Sequence, residues 1–291
     1  MIKLTPPILF MSDVHLMGHP QDQYIIDCIE SQIASHPEHI RTLVFVGDLF
    51  DFNLGYKHTI YSCFFHFYHY LALWKSKGIE IHIFTGNHDP DPCLFLRDQL
   101  GVIYHEHATV FKVGSSSLYI EHGDAQEKSW FKRKICHLVR APIIRRCARL
   151  IPSSWSYWLV KMITRPTKPK PSESNFRLPF HQLASKDPYT FALLNDLLHK
   201  WLNAHAHKVD IWMIGHFHQA YLFKKEGSSP RDQINHSRMA RFVCLGEWIQ
   251  LYTFARWNEG TSESPLKLYQ YDPIRQSSAL LDETVFPNER L

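Results

Sequence analysis

Apolar residues fall along this chain in short runs that alternate between two periods. Residues 7–11, 42–46 and 80–84 are compact blocks rich in Ile, Val, Leu and Phe, the pattern of strands buried on both faces. Between them the period lengthens. Residues 24–33 carry apolar positions at 25, 26, 29 and 33, and residues 60–74 carry them at 60, 64, 67, 71 and 74, both helical spacings. Such alternation predicts a mainly parallel sheet flanked by helices. Residues 102–104, 109–113 and 117–120 then read as short strands joined by turns. A helix over 187–204, with Phe191, Leu194, Leu197, Leu198 and Trp201, precedes strands at 210–214, 220–223, 241–245, 251–254 and 266–271. The expected fold class is α/β, a β-sandwich flanked by helices, parallel early and antiparallel late.

Residues 126–185 interrupt this order. They hold basic amphipathic helices over 130–150 and 154–163, then a Pro/Lys/Ser linker at 165–174. The division expected is a core of 1–125 and 186–275, a basic helical lid insertion at 126–185 and a C-terminal tail at 276–291. No internal repeat interrupts it.

Composition narrows the classes. The chain has 291 residues, 45% apolar and 21% charged, enough for a sizeable core and too apolar for disorder. Its longest apolar runs are strand-sized, far short of a membrane span. Residues 1–10 lack a basic region followed by a long apolar core, so no secretory signal is expected. Cys28, Cys63, Cys93, Cys136, Cys147 and Cys244 are scattered, and read as reduced, mostly buried thiols of a cytosolic protein. The net charge of +4 is polarised. Twelve Lys/Arg and no Asp or Glu lie between Lys128 and Lys170. Such a block implies an anionic partner.

The strand-like runs end in loops rich in metal-binding side chains. These are Ser12-Asp13-Val14-His15, Gly47-Asp48-Leu49-Phe50-Asp51, Gly86-Asn87-His88-Asp89, His122-Gly123-Asp124 and Gly215-His216-Phe217-His218. Loops at the carboxyl ends of strands in open α/β sheets are where ligands gather, so five such segments can converge. Gly47, Gly86 and Gly215 would allow close backbone approach there. Asp13, His15, Asp48 and His218 could hold one divalent ion. Asp48, Asn87, His122 and His216 could hold a second, with Asp48 as the bridge. Carboxylate, imidazole and amide donors without thiolate suit Mn²⁺ first, with Fe, Zn or Co as further options. Two such ions acidify a shared water and clamp a phosphoryl group. His88 would face the substrate as acid or hydrogen-bond donor, oriented by Asp89. Asp51 either contacts a histidine behind the ligands or caps a turn. Any one Asp after a strand is more often a turn former; five blocks in order, with histidines at the strand ends, weigh against that reading here. His66, His69, His82, His105 and His107 share no such order and read as structural.

In this order, D-x-H, G-D, G-N-H-D, H-G-D and G-H-x-H resemble the calcineurin-like metallophosphoesterases, over roughly residues 7–255. Within them the chain looks most like the bacterial UDP-2,3-diacylglucosamine diphosphatases of lipid A synthesis, which carry a basic helical lid after H-G-D. The block Leu245-Gly246-Glu247-Trp248 fits that layout too. The resemblance implies a metallophosphoesterase sandwich and a cytoplasmic enzyme peripheral to the inner membrane. The reaction it implies is attack on the α-phosphorus, giving 2,3-diacylglucosamine 1-phosphate and UMP. It puts Asn87, Arg165 and Lys186 among the substrate contacts. Two features depart from that branch: His88 stands where it usually has Arg, and the lid is longer through 165–185.

The partners expected are a lipid-linked nucleotide and an anionic membrane surface under the basic lid, with Arg140, Arg145, Arg146 and Arg149 facing the leaflet; nucleic acid is not expected. Two alternatives stand beside this reading. One is a soluble metallophosphoesterase of nucleotides, dinucleoside polyphosphates or phosphoproteins, or a nuclease. The other is a non-catalytic scaffold, which predicts missing ligands where this chain has every one.

Overall fold

A computed structural model describes residues 1–36, 39–156, 158, 188–205, 209–224, 241–258, 266–273 and 275–281. The chain enters through β1 (Ile2–Lys3) and β2 (Ile8–Met11), then α1 (Pro20–Ala34) and β3 (Thr42–Val46). It continues through α2 (Phe65–Ser76), β4 (Glu80–Phe84), α3 (Leu94–Leu100) and β5 (Ile103–His105). β6 (Thr109–Val113) and β7 (Ser116–Ile120) form a hairpin before the insertion. The insertion contains α4 (Trp130–Arg140) and α5 (Pro142–Ala148), and α6 (Pro188–His205) follows it. The last strands are β8 (Ile211–Ile214), β9 (Ala220–Lys224), β10 (Arg241–Leu245), β11 (Thr253–Trp257), β12 (Leu266–Asp272) and β13 (Ser277–Leu280).

Among the described residues these strands form two sheets, ordered β13-β12-β11-β2-β3-β4-β5 and β1-β6-β7-β8-β10-β9. β2 to β5 pair in parallel, as do β7 with β8 and β8 with β10, while the late strands pair antiparallel. The period of two in each strand explains the layering. Phe10, Val44 and Val46 point between the sheets to meet Phe111, Leu118, Ile120 and Met213. Met11, Leu43 and Phe45, one position out of step, meet Ile29, Phe67, Leu71 and Trp74 of α1 and α2. Leu194, Leu197 and Leu198 of α6 cover the other sheet at Trp212 and Phe242. The result is a helix–sheet–sheet–helix stack. Where both faces are covered, as at β2, β3, β8 and β10, the strands read as continuous apolar runs.

Several boundaries differ from the sequence reading. The helix expected from residue 60 begins as a 3-10 turn at Ser62–Phe64 before α2. The single helix expected over 130–150 breaks at Ala141, which is extended (φ −62°, ψ 130°) ahead of Pro142. Proline disfavours helical geometry in the residue before it and suits the first turn of the next helix. β11 lies two residues later than expected, after Tyr252 turns through φ 51°. Residues 277–280, expected within a tail, pair with β12 as an edge strand. The cysteines are free, with Cys28, Cys93 and Cys244 buried, Cys63 and Cys136 half-buried and Cys147 exposed. The linker expected at 165–174, the rest of the longer lid to 185 and most of the helix expected at 154–163 lie outside the described residues. No described helix is long and apolar enough to cross a membrane.

His82 and His105 form a buried pair between the sheets, His82 Nδ1 lying 2.9 Å from His105 Nε2 and the rings stacked at 5.2 Å. Burial, then the neighbouring His82, lowers the His105 pKa from 6.5 to about 4. A lowered imidazole contributes stability that is full above 6.5 and lost as pH falls through about 4. His105→Gln keeps a polar partner for His82 without titrating at this position. Denaturation midpoints between about pH 7 and about pH 4 should therefore fall less steeply in the variant than in the unmodified chain. Equal slopes would contradict this assignment.

Candidate metal centre

The parallel ladders do not stop where the strands end. Asp13 N–H donates to the Gly47 carbonyl (3.1 Å), His15 N–H to that of Asp48 (3.0 Å) and Leu16 N–H to that of Leu49 (3.0 Å). Gly215 N–H likewise reaches the His122 carbonyl at 2.8 Å. These rungs carry the loops after β2, β3, β7 and β8 to one place, and the β4 loop joins them.

Backbone strain concentrates there. Asp13, His15, Asp48, His216 and His218 all adopt left-handed φ, between 48° and 68°. Each such non-glycine residue costs of order 1–3 kcal/mol and persists only where its surroundings hold it. A β-carbon at Gly86 would sit on the Asp48 carboxylate, and one at Gly215 would sit on Ser12 Oγ, so only glycine lets these loops close.

Asp48 lies at the middle. Its Oδ2 is 3.4 Å from His122 Nε2 and 3.8 Å from His15 Nε2, and its Oδ1 accepts the His88 N–H at 2.9 Å. On one side, His218 Nε2 lies 3.3 Å from both Asp13 Oδ1 and His15 Nε2. On the other, Asn87 Oδ1 lies 3.2 Å from His122 Nε2 and 3.0 Å from His216 Nδ1. The ring tautomers follow from their outer partners. His15 Nδ1 meets Asp51 Oδ1 at 3.1 Å and His122 Nδ1 donates to the Val46 carbonyl at 2.9 Å, which turns both Nε2 atoms inward.

The donor set fits two divalent cations. Asp13 Oδ1 is buried without a hydrogen-bond partner and faces two imidazole nitrogens. Groups of donors that could hold an ion form at Asp13–His15–His218 and Asp48–His122–His216. The ionisation of the cluster makes the same point. Burial opposes charge on Asp13, but its bond to His15 and the fields of His218 and His122 bring it down to about 2. Burial likewise opposes charge on His122, yet Asp48 raises it to about 10; His15 rises to about 9 through Asp13, Asp51 and Asp48. The buried carboxylates demand positive charge, which protonated imidazoles or bound divalent ions can supply.

The eleven residues expected at the site separate as follows. Asp13, His15, Asp48, Asn87, His122, His216 and His218 converge. His88 stands at the rim, 36% exposed, its ring edge-on to His15 at 4.8 Å, and with His15 and Asp48 it forms a third donor group. Asp89 corrects the sequence reading. It is buried and bonds not His88 but the backbone: Oδ1 accepts from Gly86 (2.7 Å) and Asp48 (3.2 Å), Oδ2 from Leu49 (2.9 Å) and Phe50 (3.2 Å). Since each buried N–H left unsatisfied costs about 1–3 kcal/mol, Asp89 is a clamp on the Asp48 loop. The partner of His88 is Asp51, whose carbonyl accepts from Nδ1 at 3.2 Å. Arg165 and Lys186, expected as substrate contacts, lie outside the described residues. Glu127, 3.8 Å from His216 Nε2, is an addition no motif signalled. Trp248 N–H, in the block after β10, donates to the Asp13 carbonyl at 3.2 Å.

A family model for calcineurin-like phosphoesterases matches residues 6–220. Among curated proteins, a UDP-2,3-diacylglucosamine hydrolase of Porphyromonas gingivalis is 27% identical over 265 residues, 88% of this chain and 95% of that one. Among solved structures, a Vps29 double mutant from Entamoeba histolytica matches with TM-score 0.40 and 15% identity over 94% of this chain and 96% of its own. GAP50, the anchor in the inner membrane complex of Plasmodium, matches with TM-score 0.37 and 11% identity over 94% and 88%.

Asp48 belongs to the donor group of His122 and His216 and lies 3.8 Å from His15 of the Asp13 group, so Asp48→Asn tests whether it bridges two ions. Metal analysis of the purified variant should find about one ion per chain or fewer, with turnover abolished. Two retained ions with near-normal activity would refute the bridging assignment.

Proposed function

The chain belongs to the calcineurin-like phosphoesterase family, and on that footing we propose that it cleaves the pyrophosphate of UDP-2,3-diacylglucosamine to 2,3-diacylglucosamine 1-phosphate and UMP. That it is a metal-dependent phosphoester hydrolase follows from the family and its hydrolase-named relative. The choice of substrate is supported by that relative and, most of all, by one surface. Most large apolar side chains that face water among the described residues lie between 130 and 158, including Trp130, Phe131, Leu138, Ile143, Trp155 and Trp158. Arg133, Lys134 and Arg146 are exposed among them. An apolar face studded with cations suits acyl chains and an anionic headgroup boundary better than a small soluble nucleotide.

In this reading residues 126–185 form a lid over a core of 1–125 and 186–275, and the enzyme works in the cytoplasm at the inner membrane. Asp13, His15, Asp48 and His218 would hold one ion and Asp48, Asn87, His122 and His216 the other, manganese being the first candidate. When bound, the ions supply a water acidic enough to attack near neutral pH and charge to stabilise the phosphoryl oxygens. The chain's own residues do the rest. His88, its Nδ1–H directed to the Asp51 carbonyl, would with both ring nitrogens protonated donate through Nε2 to the transition-state oxygens or the leaving group. Asn87 and, beyond the described residues, Arg165 and Lys186 would orient the substrate.

The decisive comparison is turnover of UDP-2,3-diacylglucosamine, diadenosine tetraphosphate and bis-p-nitrophenyl phosphate, with and without anionic vesicles. The lipid substrate should be strongly preferred and vesicles should raise its turnover. Equal rates on lipid and soluble substrates would instead support the nucleotide phosphoesterase. His88→Ala should lower the rate by a factor of order 10²–10⁴ while both ions stay bound. Loss of an ion would move His88 among the ligands.

A further inference from the structure

The sequence reading turned four arginines of the insertion outward, and three of them point the other way. Arg140 forks onto Asp124 (Nε–Oδ2 2.9 Å, Nη2–Oδ1 3.1 Å) and reaches Thr85 Oγ1 and the Thr85 carbonyl, both at 2.9 Å. Arg149 donates through Nε to Asp91 Oδ2 at 2.6 Å and through Nη2 to Oδ1. Arg145 Nη1 lies 3.5 Å from Asp91 Oδ1, 3.3 Å from the Pro90 carbonyl and 2.7 Å from Glu106 Oε2. Only Arg146 of the four is exposed.

Asp91 is the unusual member. It is 1% exposed and stands two residues beyond Asp89, in the loop that carries Asn87 and His88. Its Oδ2 also accepts the Gly55 N–H at 2.9 Å. The neighbouring loop reaches the insertion as well: Tyr56 Oη donates to the Ile151 carbonyl at 2.5 Å, and Tyr61 Oη lies 2.9 Å from Ser156 Oγ. One short loop therefore holds the metal donors at one end and the insertion at the other. A buried carboxylate fastened by a single arginine would be left uncompensated when that arginine is removed. Here Arg145 and the Gly55 N–H remain, so losing Arg149 should loosen the seat of the insertion without unfolding the core.

We infer that Asp91, Arg145 and Arg149 form a latch between the insertion and the metal loop, with Arg149 a positioning residue for substrates that the insertion must touch. The inference rests on the reading that the insertion contacts the acyl part of the substrate. Arg149→Met should speed amide hydrogen exchange across α5. It should raise KM for UDP-2,3-diacylglucosamine about tenfold and leave bis-p-nitrophenyl phosphate turnover within about twofold. Arg149→Lys keeps the charge but not the two-pronged geometry, and should restore protection and KM in part. Unchanged exchange in Arg149→Met, or equal losses on both substrates, would overturn the latch. An unmodified enzyme inert towards UDP-2,3-diacylglucosamine would overturn the substrate reading alone. The latch would then be decided by exchange in Arg149→Met and Asp91→Asn, which must loosen the same segment.

Discussion

Two carboxylates, Asp13 and Asp48, are buried within one cluster at the ends of adjacent parallel strands, and that burial sets the terms for everything around them. An unpaired buried anion is too costly to persist, so the fold must bring positive charge to meet it. It does so with imidazoles from the far sheet: His122 after β7, and His216 and His218 after β8. Neither sheet could hold the centre by itself, and packing the two sheets face to face is what completes the donor set. A hydrolytic site of this kind is therefore a property of the sandwich, built at one end of it.

The backbone meets the same demand. Five of the converging residues sit in left-handed conformation, and the strain is held by continued strand-like rungs between loops and by Asp89 gripping four amides. Holding donors rigidly before any ion arrives lowers the reorganisation needed on binding and in the transition state. The same logic extends outward through Asp91, so that the loop order Asn87-His88-Asp89-Pro90-Asp91 runs from candidate metal donor to rim imidazole, backbone clamp and the carboxylate bonded to Arg149.

Much of this was legible in the sequence, for physical reasons. Strands buried on both faces must be apolar without interruption, which located β3, β4 and β10 to the residue. Metal donors at strand ends announced the site because their spacing follows the ladder. What failed to show was whatever depends on a distant partner. Asp89 follows His88 in the chain, yet it turns to amides of the β3 loop, and no local pattern says so. The arginines of the insertion read as facing an anionic leaflet because the carboxylates that meet them are distant in the chain, Asp124 16 residues from Arg140 and Asp91 58 from Arg149. The short helix α3 and the polar edge strand β13 carry too few periodic positions to stand out. At β11 the apolar run begins before the strand does, since Leu251 and Tyr252 are buried in the turn ahead of it.

The central claim is a pair of metal ions sharing Asp48. Electron paramagnetic resonance of the chain loaded to saturation with Mn²⁺ tests it most directly, because two ions bridged by a carboxylate couple their spins. The account predicts the spectrum of a coupled pair, replaced by that of isolated ions in Asp48→Asn. The hyperfine pattern of isolated ions in the unmodified protein at saturation would contradict it.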